Sequence, residues 1–276
     1  MNRNGFSARS TRMAAVLTLL GAAQFAWGQV QPLARAHSHN DYRRPRPLLD
    51  ALAQGFCSVE ADVFLVEGAL LVGHDLDELR PERTLRSLYL EPLRARVREH
   101  GGKVFEAGCE FTLLIDVKSD GESVWPVLRA LLSEYREMLT VFRDDGAERR
   151  AVTVIISGNR AASLLLADNE RLAGLDGRLS DLNLGLRPSV MPWISDNWEG
   201  YFKWSGKGKI SRRERERLVE GVETAHRLGY RVRFWGSPAR PAVWEVLRDA
   251  GVDLINTDDL IGLSAFLCAG RESRRP

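Results

Sequence analysis

Ala36-His37-Ser38-His39-Asn40-Asp41, Val59-Glu60-Ala61-Asp62-Val63 and Val72-Gly73-His74-Asp75 lie within forty residues of one another, and their reading decides the fold. Three of the chain's five histidines fall here. The first two groups sit at the end of apolar runs with strand character, where residues i and i+2 point to the same face. His37 therefore shares a face with His39, and Glu60 with Asp62. Two carboxylates turned together into an apolar interior resist joint ionisation unless a positive group lies between them. A hard divalent cation is the simplest such group.

Leu113-Leu114-Ile115-Asp116-Val117-Lys118 repeats the device, with an apolar run leading into an acid and a base two apart. Parallel strands covered by helices read as continuous apolar runs, and such folds gather their reactive groups at the strands' C-terminal ends. Strand starts follow at Pro32, Ser58, Phe111, Ala151, Gly177, Ser189, Tyr230 and Val252, with the fifth strand spanning 177–182 and the sixth 189–194. Helical periodicity separates most of them, over 84–99, 124–139, 212–228, 241–249 and 260–268. Eight strands alternating with helices predict a single-domain (β/α)₈ barrel.

The chain has 276 residues, 44% of them hydrophobic, enough for one large α/β domain with a full core. Residues 1–28 read as a signal peptide, with Arg3, Arg9 and Arg12 ahead of an apolar run and Ala26-x-Gly28 at the cleavage position. That leader predicts a secreted or periplasmic protein whose domain spans 29–276, and its run is short for a membrane span. Without the leader's arginines the formal charge of +2 falls close to neutral, so the balance calls for neither nucleic acid nor an anionic membrane. The three cysteines are an odd number for an exported chain.

His37, His39 and His74 in company with carboxylates suit the cleavage of a phosphodiester. That reaction needs negative charge offset, a nucleophile deprotonated and a leaving alkoxide protonated. The aromatic run Trp193, Trp198, Tyr201, Phe202 and Trp204 is read either as pocket lining or as loop packing, and Trp235 at the end of the seventh strand as a residue of the barrel mouth. His100 and His226, on predicted helices, read as satisfied core or surface residues rather than catalysts.

Taken in order, Ala36-His37-Ser38-His39-Asn40-Asp41-Tyr42, Glu60-Ala61-Asp62-Val63, Gly73-His74-Asp75 and Ile115-Asp116-Val117-Lys118 resemble the phospholipase-C-like phosphodiesterase superfamily, which contains the glycerophosphodiester phosphodiesterases. More narrowly, the His-Ser-His-Asn-Asp-Tyr block and 83–90 resemble the family of altered inheritance of mitochondria protein six, while 251–258 resembles the superfamily's last strand. The resemblance implies that Glu60, Asp62 and Asp116 hold one Mg²⁺ or Ca²⁺ and that Lys118 contacts the phosphate. Asn40 and Trp235 join Lys118 as expected substrate-binding residues. It implies His74 as one acid/base and the first-strand histidine as the other; His37 and His39 both fit. It further implies a small-molecule or lipid-headgroup phosphodiester as substrate and a cyclic phosphate on the path. Two rival readings stand beside it. One is a barrel that binds a cation and anions without turnover; the other is a zinc amidohydrolase-like hydrolase built on His37-x-His39.

Overall fold

The structure, a computed structural model, describes Met1 and residues 30–272, so the expected leader lies outside the described residues apart from Met1. Eight parallel strands form the barrel: β1 (Leu33–Ser38), β2 (Phe56–Val66), β3 (Phe111–Val117), β4 (Val152–Gly158), β5 (Gly174–Gly177), β6 (Trp193–Asn197), β7 (Arg231–Trp235) and β8 (Leu254–Thr257). Each pairs with the next, and β1 closes the ring by pairing with both β2 and β8. Outside the ring lie α1 (Leu49–Ala53), α2 (Glu91–Glu99), α3 (Gly121–Ser133), α4 (Ala162–Ala167), α5 (Trp198–Tyr201), α6 (Arg212–Arg227), α7 (Pro241–Asp249) and α8 (Leu260–Glu272). Among the described residues, no helix is long and apolar enough to cross a membrane.

The strands are buried on both faces, as their apolar runs require. Their outer residues pack on the helices in the main core. Inside the barrel Leu114, Ile155, Trp193 and Leu254 form a separate apolar plug. Above that plug the inward positions turn polar, and because Asp62, Asp116 and Ser157 are in register across β2, β3 and β4, the acids arrive at one level.

β2 runs for 11 residues, longer than the barrel needs, and its end folds back as an antiparallel hairpin with Ala69–Val72. Glu67 and Gly68 at the tip both have positive φ, 49° and 81°, the two-residue turn that suits the twist of a hairpin. The return strand carries His74 back over the mouth, where Gly73 N–H donates to Asp62 O at 3.2 Å.

Two sequence expectations shift, and one small sheet was not expected. The fifth strand is Gly174–Gly177 rather than 177–182; Leu179–Leu184 is a 3₁₀ helix, with Leu179 and Leu182 one turn of such a helix apart. The sixth is Trp193–Asn197 rather than 189–194, because the polar Ser195-Asp196-Asn197 continues the ladder with β7. Val141–Arg143, Gly146–Glu148 and Glu170–Arg171 form a small antiparallel sheet that no apolar run announces.

Candidate active site

At the C-terminal mouth of the barrel, one carboxylate oxygen from each of Glu60, Asp62 and Asp116 lies within 4.8 Å of the others. Glu60 and Asp62 are buried, and Asp116 is half-buried. Lys118 Nζ donates to Asp116 Oδ2 at 2.6 Å and lies 3.0 Å from Asp62 Oδ2. Asp62 Oδ2 also accepts from the Tyr42 hydroxyl at 2.8 Å and pairs with His74 Nδ1 at 2.9 Å. The other oxygens, Asp62 Oδ1 and Asp116 Oδ1, are buried and have no hydrogen-bond partner. Beside the second of them the chain has no side chain: a Cβ on Gly158 would stand 2.1 Å from Asp116 Oδ1.

Burial raises the carboxyl pKa of Asp62, and the charge of Glu60 adds to it; burial likewise raises that of Asp116. Desolvation works against charge on Lys118, but Asp116 and Asp62 outweigh it and hold the ammonium above its ordinary pKa. At Glu60, burial opposes ionisation and Arg233 reverses the result, keeping the carboxyl below its usual range. Arg233, nearly inaccessible on β7, donates from Nη1 to Glu60 Oε2 at 3.0 Å and to Asn256 Oδ1 at 3.1 Å, and from Nε to Ser195 Oγ at 3.1 Å.

Two crowded acids with orphaned oxygens, a third at their side and a glycine where any side chain would strike Asp116 Oδ1 fit a hard cation with oxygen ligands. Glu60, Asp62 and Asp116 are the residues that would hold it.

The three histidines separate by environment. His37 is fully buried; its Nε2 lies 2.7 Å from Arg233 Nη1 and its Nδ1 2.7 Å from Ser58 Oγ. Since Arg233 only donates, Nε2 is the acceptor and Nδ1–H donates to Ser58. Desolvation, helped by Arg233, lowers its pKa to about 4. The 3.3 Å approach of His37 Nε2 to Glu60 is therefore a contact between two acceptors that Arg233 bridges. His39 sits at the rim with Nδ1 3.0 Å from Asp258 Oδ1, and Asn40 Nδ2 donates to the same oxygen at 3.2 Å. His74 is exposed at the end of the hairpin.

The structure thus brings Asp62, Asp116, Lys118 and His74 into one bonded group, with a Glu60 oxygen within 4.8 Å of both aspartates but held from the other side by Arg233, His37 below, and His39 and Asn40 at the edge. Trp235 ends β7 opposite Asn197, half-buried and outside the hydrogen bonds of the group. Trp193, Trp198, Phe202 and Trp204 are buried, with the Trp198 and Phe202 rings 4.3 Å apart, so four of the five aromatics are packing. Among the described residues, the carboxylate trio is the one group of three or more potential metal ligands, and neither His37 nor His39 belongs to it. That removes the basis for a zinc site on His37-x-His39.

Sequence reasoning missed Arg233, Tyr42, Ser58 and Asp258. An arginine in Arg231-Val232-Arg233-Phe234-Trp235 reads as alternation toward solvent; the clue was the excess of acids inside the barrel, which needs internal positive charge. Tyr42 and Asp258 lay inside quoted motifs without a role.

Residues 26–173 match the AIM6-like phosphodiesterase domain, and residues 231–261 match the glycerophosphoryl diester phosphodiesterase family. The altered inheritance of mitochondria protein 6 homolog of Arthroderma benhamiae is 32% identical over 81% of this chain and 81% of its own. The altered inheritance of mitochondria protein 6 of Eremothecium gossypii is 33% identical over 86% of this chain and 70% of its own. In fold, a glycerophosphodiester phosphodiesterase from Agrobacterium tumefaciens superposes with a TM-score of 0.51 at 17% identity, covering 85% of this chain and 99% of that one. These relatives correct the expectation of a secreted or periplasmic protein: both sequence relatives are named for the inheritance of mitochondria, and neither name describes an exported protein. The match over residues 26–173 and 32% identity across four-fifths of the chain, with the carboxylate trio at the barrel's mouth beside them, place this protein in the family of AIM6-like phosphodiesterase domains.

Proposed function

We propose that the chain is a divalent-cation-dependent phosphoric diester hydrolase acting on a small-molecule or lipid-headgroup phosphodiester. The observation that carries this reading is the trio Glu60, Asp62 and Asp116, with two orphaned oxygens, beside Lys118 and His74. Bound Mg²⁺ or Ca²⁺ would supply positive charge to offset that of the phosphate. Lys118, already held between two carboxylates, offers a third N–H to a non-bridging phosphate oxygen. His74 is oriented through Nδ1 by Asp62, which leaves Nε2 to take a proton from the attacking hydroxyl. That hydroxyl belongs to the substrate and neighbours the phosphate. Its oxygen bonds to phosphorus, the ester bond to the leaving oxygen breaks, and a first-strand histidine protonates that oxygen; the products are a cyclic phosphate and a free alcohol. Asn40 and Trp235 would line the rim around the substrate.

A second reading, a barrel that binds cation and anion without turnover, draws on the relatives' names, which describe a phenotype rather than a reaction. Hydrolysis of a panel of glycerophosphodiesters and lysophospholipids by wild type and His74→Ala separates the two. We expect turnover by wild type and a loss of about 10²- to 10⁴-fold in the variant, the usual worth of a general acid or base. A folded wild type that cleaves none of the panel sinks the hydrolase reading in favour of the binding barrel.

A further inference from the structure

We propose that His39, oriented by Asp258, is the histidine that protonates the leaving oxygen, and that His37 is a neutral internal strut. The inference rests on the hydrolase reading. Each ring nitrogen of His37 is committed inside the barrel, Nδ1 to Ser58 and Nε2 to Arg233, and its side chain has no exposure. A proton can pass from His37 to a substrate only after the Arg233 contact breaks, and a cationic imidazole would then face that guanidinium. His39 has the opposite arrangement. Only Nδ1 is tied, lying 3.0 Å from Asp258 Oδ1 and 3.0 Å from Asn40 Nδ2; with the Asn40 amide donating to Asp258, the Nδ1 proton is assigned to the carboxylate, and the side chain keeps 23% exposure at the mouth. Nδ1–H donating to a carboxylate leaves Nε2 directed away from it, the geometry by which an acid orients a catalytic imidazole.

The dyad is built in. His39 N–H donates to Thr257 O at 3.0 Å, which pins the residue to the end of β8, one position before Asp258. Asn40 Nδ2 donates to Asp258 Oδ1 at 3.2 Å and Arg44 Nη2 to Asp258 O at 2.6 Å, so the aspartate is held from two sides. The charged groups facing His39 are Asp258 just beyond β8, Glu60 on β2 and Arg233 on β7, and Arg44 acts on Asp258. Desolvation disfavours the imidazolium, but Asp258 and Glu60 outweigh it together and raise the pKa of His39 above its ordinary value. That direction favours the protonated imidazole that a general acid needs. In the step proposed, the P–O bond to the leaving oxygen breaks as the proton on Nε2 moves to that oxygen, and His39 ends neutral while His74 holds the proton of the attacking hydroxyl. Asp258 touches no reacting atom and is a positioning residue.

Diesters with an alkyl alcohol or a nitrophenolate leaving group test this, because nitrophenolate departs with little need of a proton. His39→Gln is expected to lose about 10²-fold or more on the alkyl ester and less than about fivefold on the nitrophenyl ester. Asp258→Asn is expected to move the alkaline limb of the pH profile for the alkyl ester downward by about one unit, and Asp258→Glu to restore most of it. Equal losses on both esters in His39→Gln, or an alkaline limb that stays in place in Asp258→Asn, would overturn the assignment. If His39→Gln does not fold, the Asp258 arm decides alone. The imidazole NMR resonances of His39 provide a readout without turnover: its titration should fall in Asp258→Asn, and an unchanged titration removes the dyad. A wild type that turns over no diester, with that shift observed, defeats the hydrolase reading while the dyad survives.

Discussion

At the scale of single residues, burial decides what each histidine does. His37 is held neutral, so its contribution to stability has a definite sign with pH. Its pKa is about 4 in the folded chain against 6.5 for an unperturbed imidazole. Between those values the unfolded chain binds a proton that the folded one refuses, so stability falls as pH drops from 6.5 towards 4. The limiting size is about 3 kcal/mol, at roughly 1.36 kcal/mol for each pH unit that separates the two values. Denaturant unfolding between pH 4 and 7, with chelator present, should show this slope in wild type and a flatter one in His37→Gln, which keeps an acceptor for Arg233 and a donor for Ser58. Equal slopes would show that His37 is not the group responsible. Asp41, one of the motif acids, is structural instead. It accepts from Leu48 N–H at 2.6 Å, Ser38 Oγ at 2.8 Å and Tyr89 OH at 3.1 Å. Leu48 has a φ of 64°, unfavourable for a leucine, and that bond helps hold it and the β1–α1 loop in place.

At the scale of elements, the site depends on where strands stop. β4 ends at Gly158, whose φ of +68° already disfavours a side chain, and a Cβ there would meet Asp116 Oδ1 at 2.1 Å and Val117 O at 2.4 Å. Gly158→Ala is therefore expected to cost about 2 kcal/mol or more in unfolding free energy and to weaken divalent-cation binding about tenfold by displacing Asp116. Calorimetric titration with Mg²⁺ and Ca²⁺ checks the second part; unchanged affinity would mean that Asp116 does not hold the cation. The acids of β2 and β3 were legible in the sequence because a strand's two-residue period states which side chains share a face, and an apolar run announces that the face is interior. β5 was not. Gly174-Leu175-Asp176-Gly177 offers no apolar run, and it is a strand because β4 and β6 supply its partners. Arg233 failed for a related reason: its burial is decided by groups on β1, β2, β6 and β8, none of which is near it in sequence.

At the scale of the whole molecule, closing the barrel turns scattered motifs into one site. Positions from 37 to 258 meet at one mouth because β1 pairs with both β2 and β8. The repeated strand-end pairs made that closure readable. The leader's charge pattern, by contrast, suggested an export route that relatives across most of the chain contradict. If the carboxylate trio holds a divalent cation required for diester cleavage, removing that cation must abolish turnover. The most direct test is diester hydrolysis by chelator-treated protein, with Mg²⁺, Ca²⁺ or Zn²⁺ returned stepwise, for wild type and Asp116→Asn. The expected result is no turnover after chelation, recovery with Mg²⁺ or Ca²⁺, and at least about a tenfold higher cation requirement in the variant. Full activity in chelator, or recovery with Zn²⁺ alone, would contradict it.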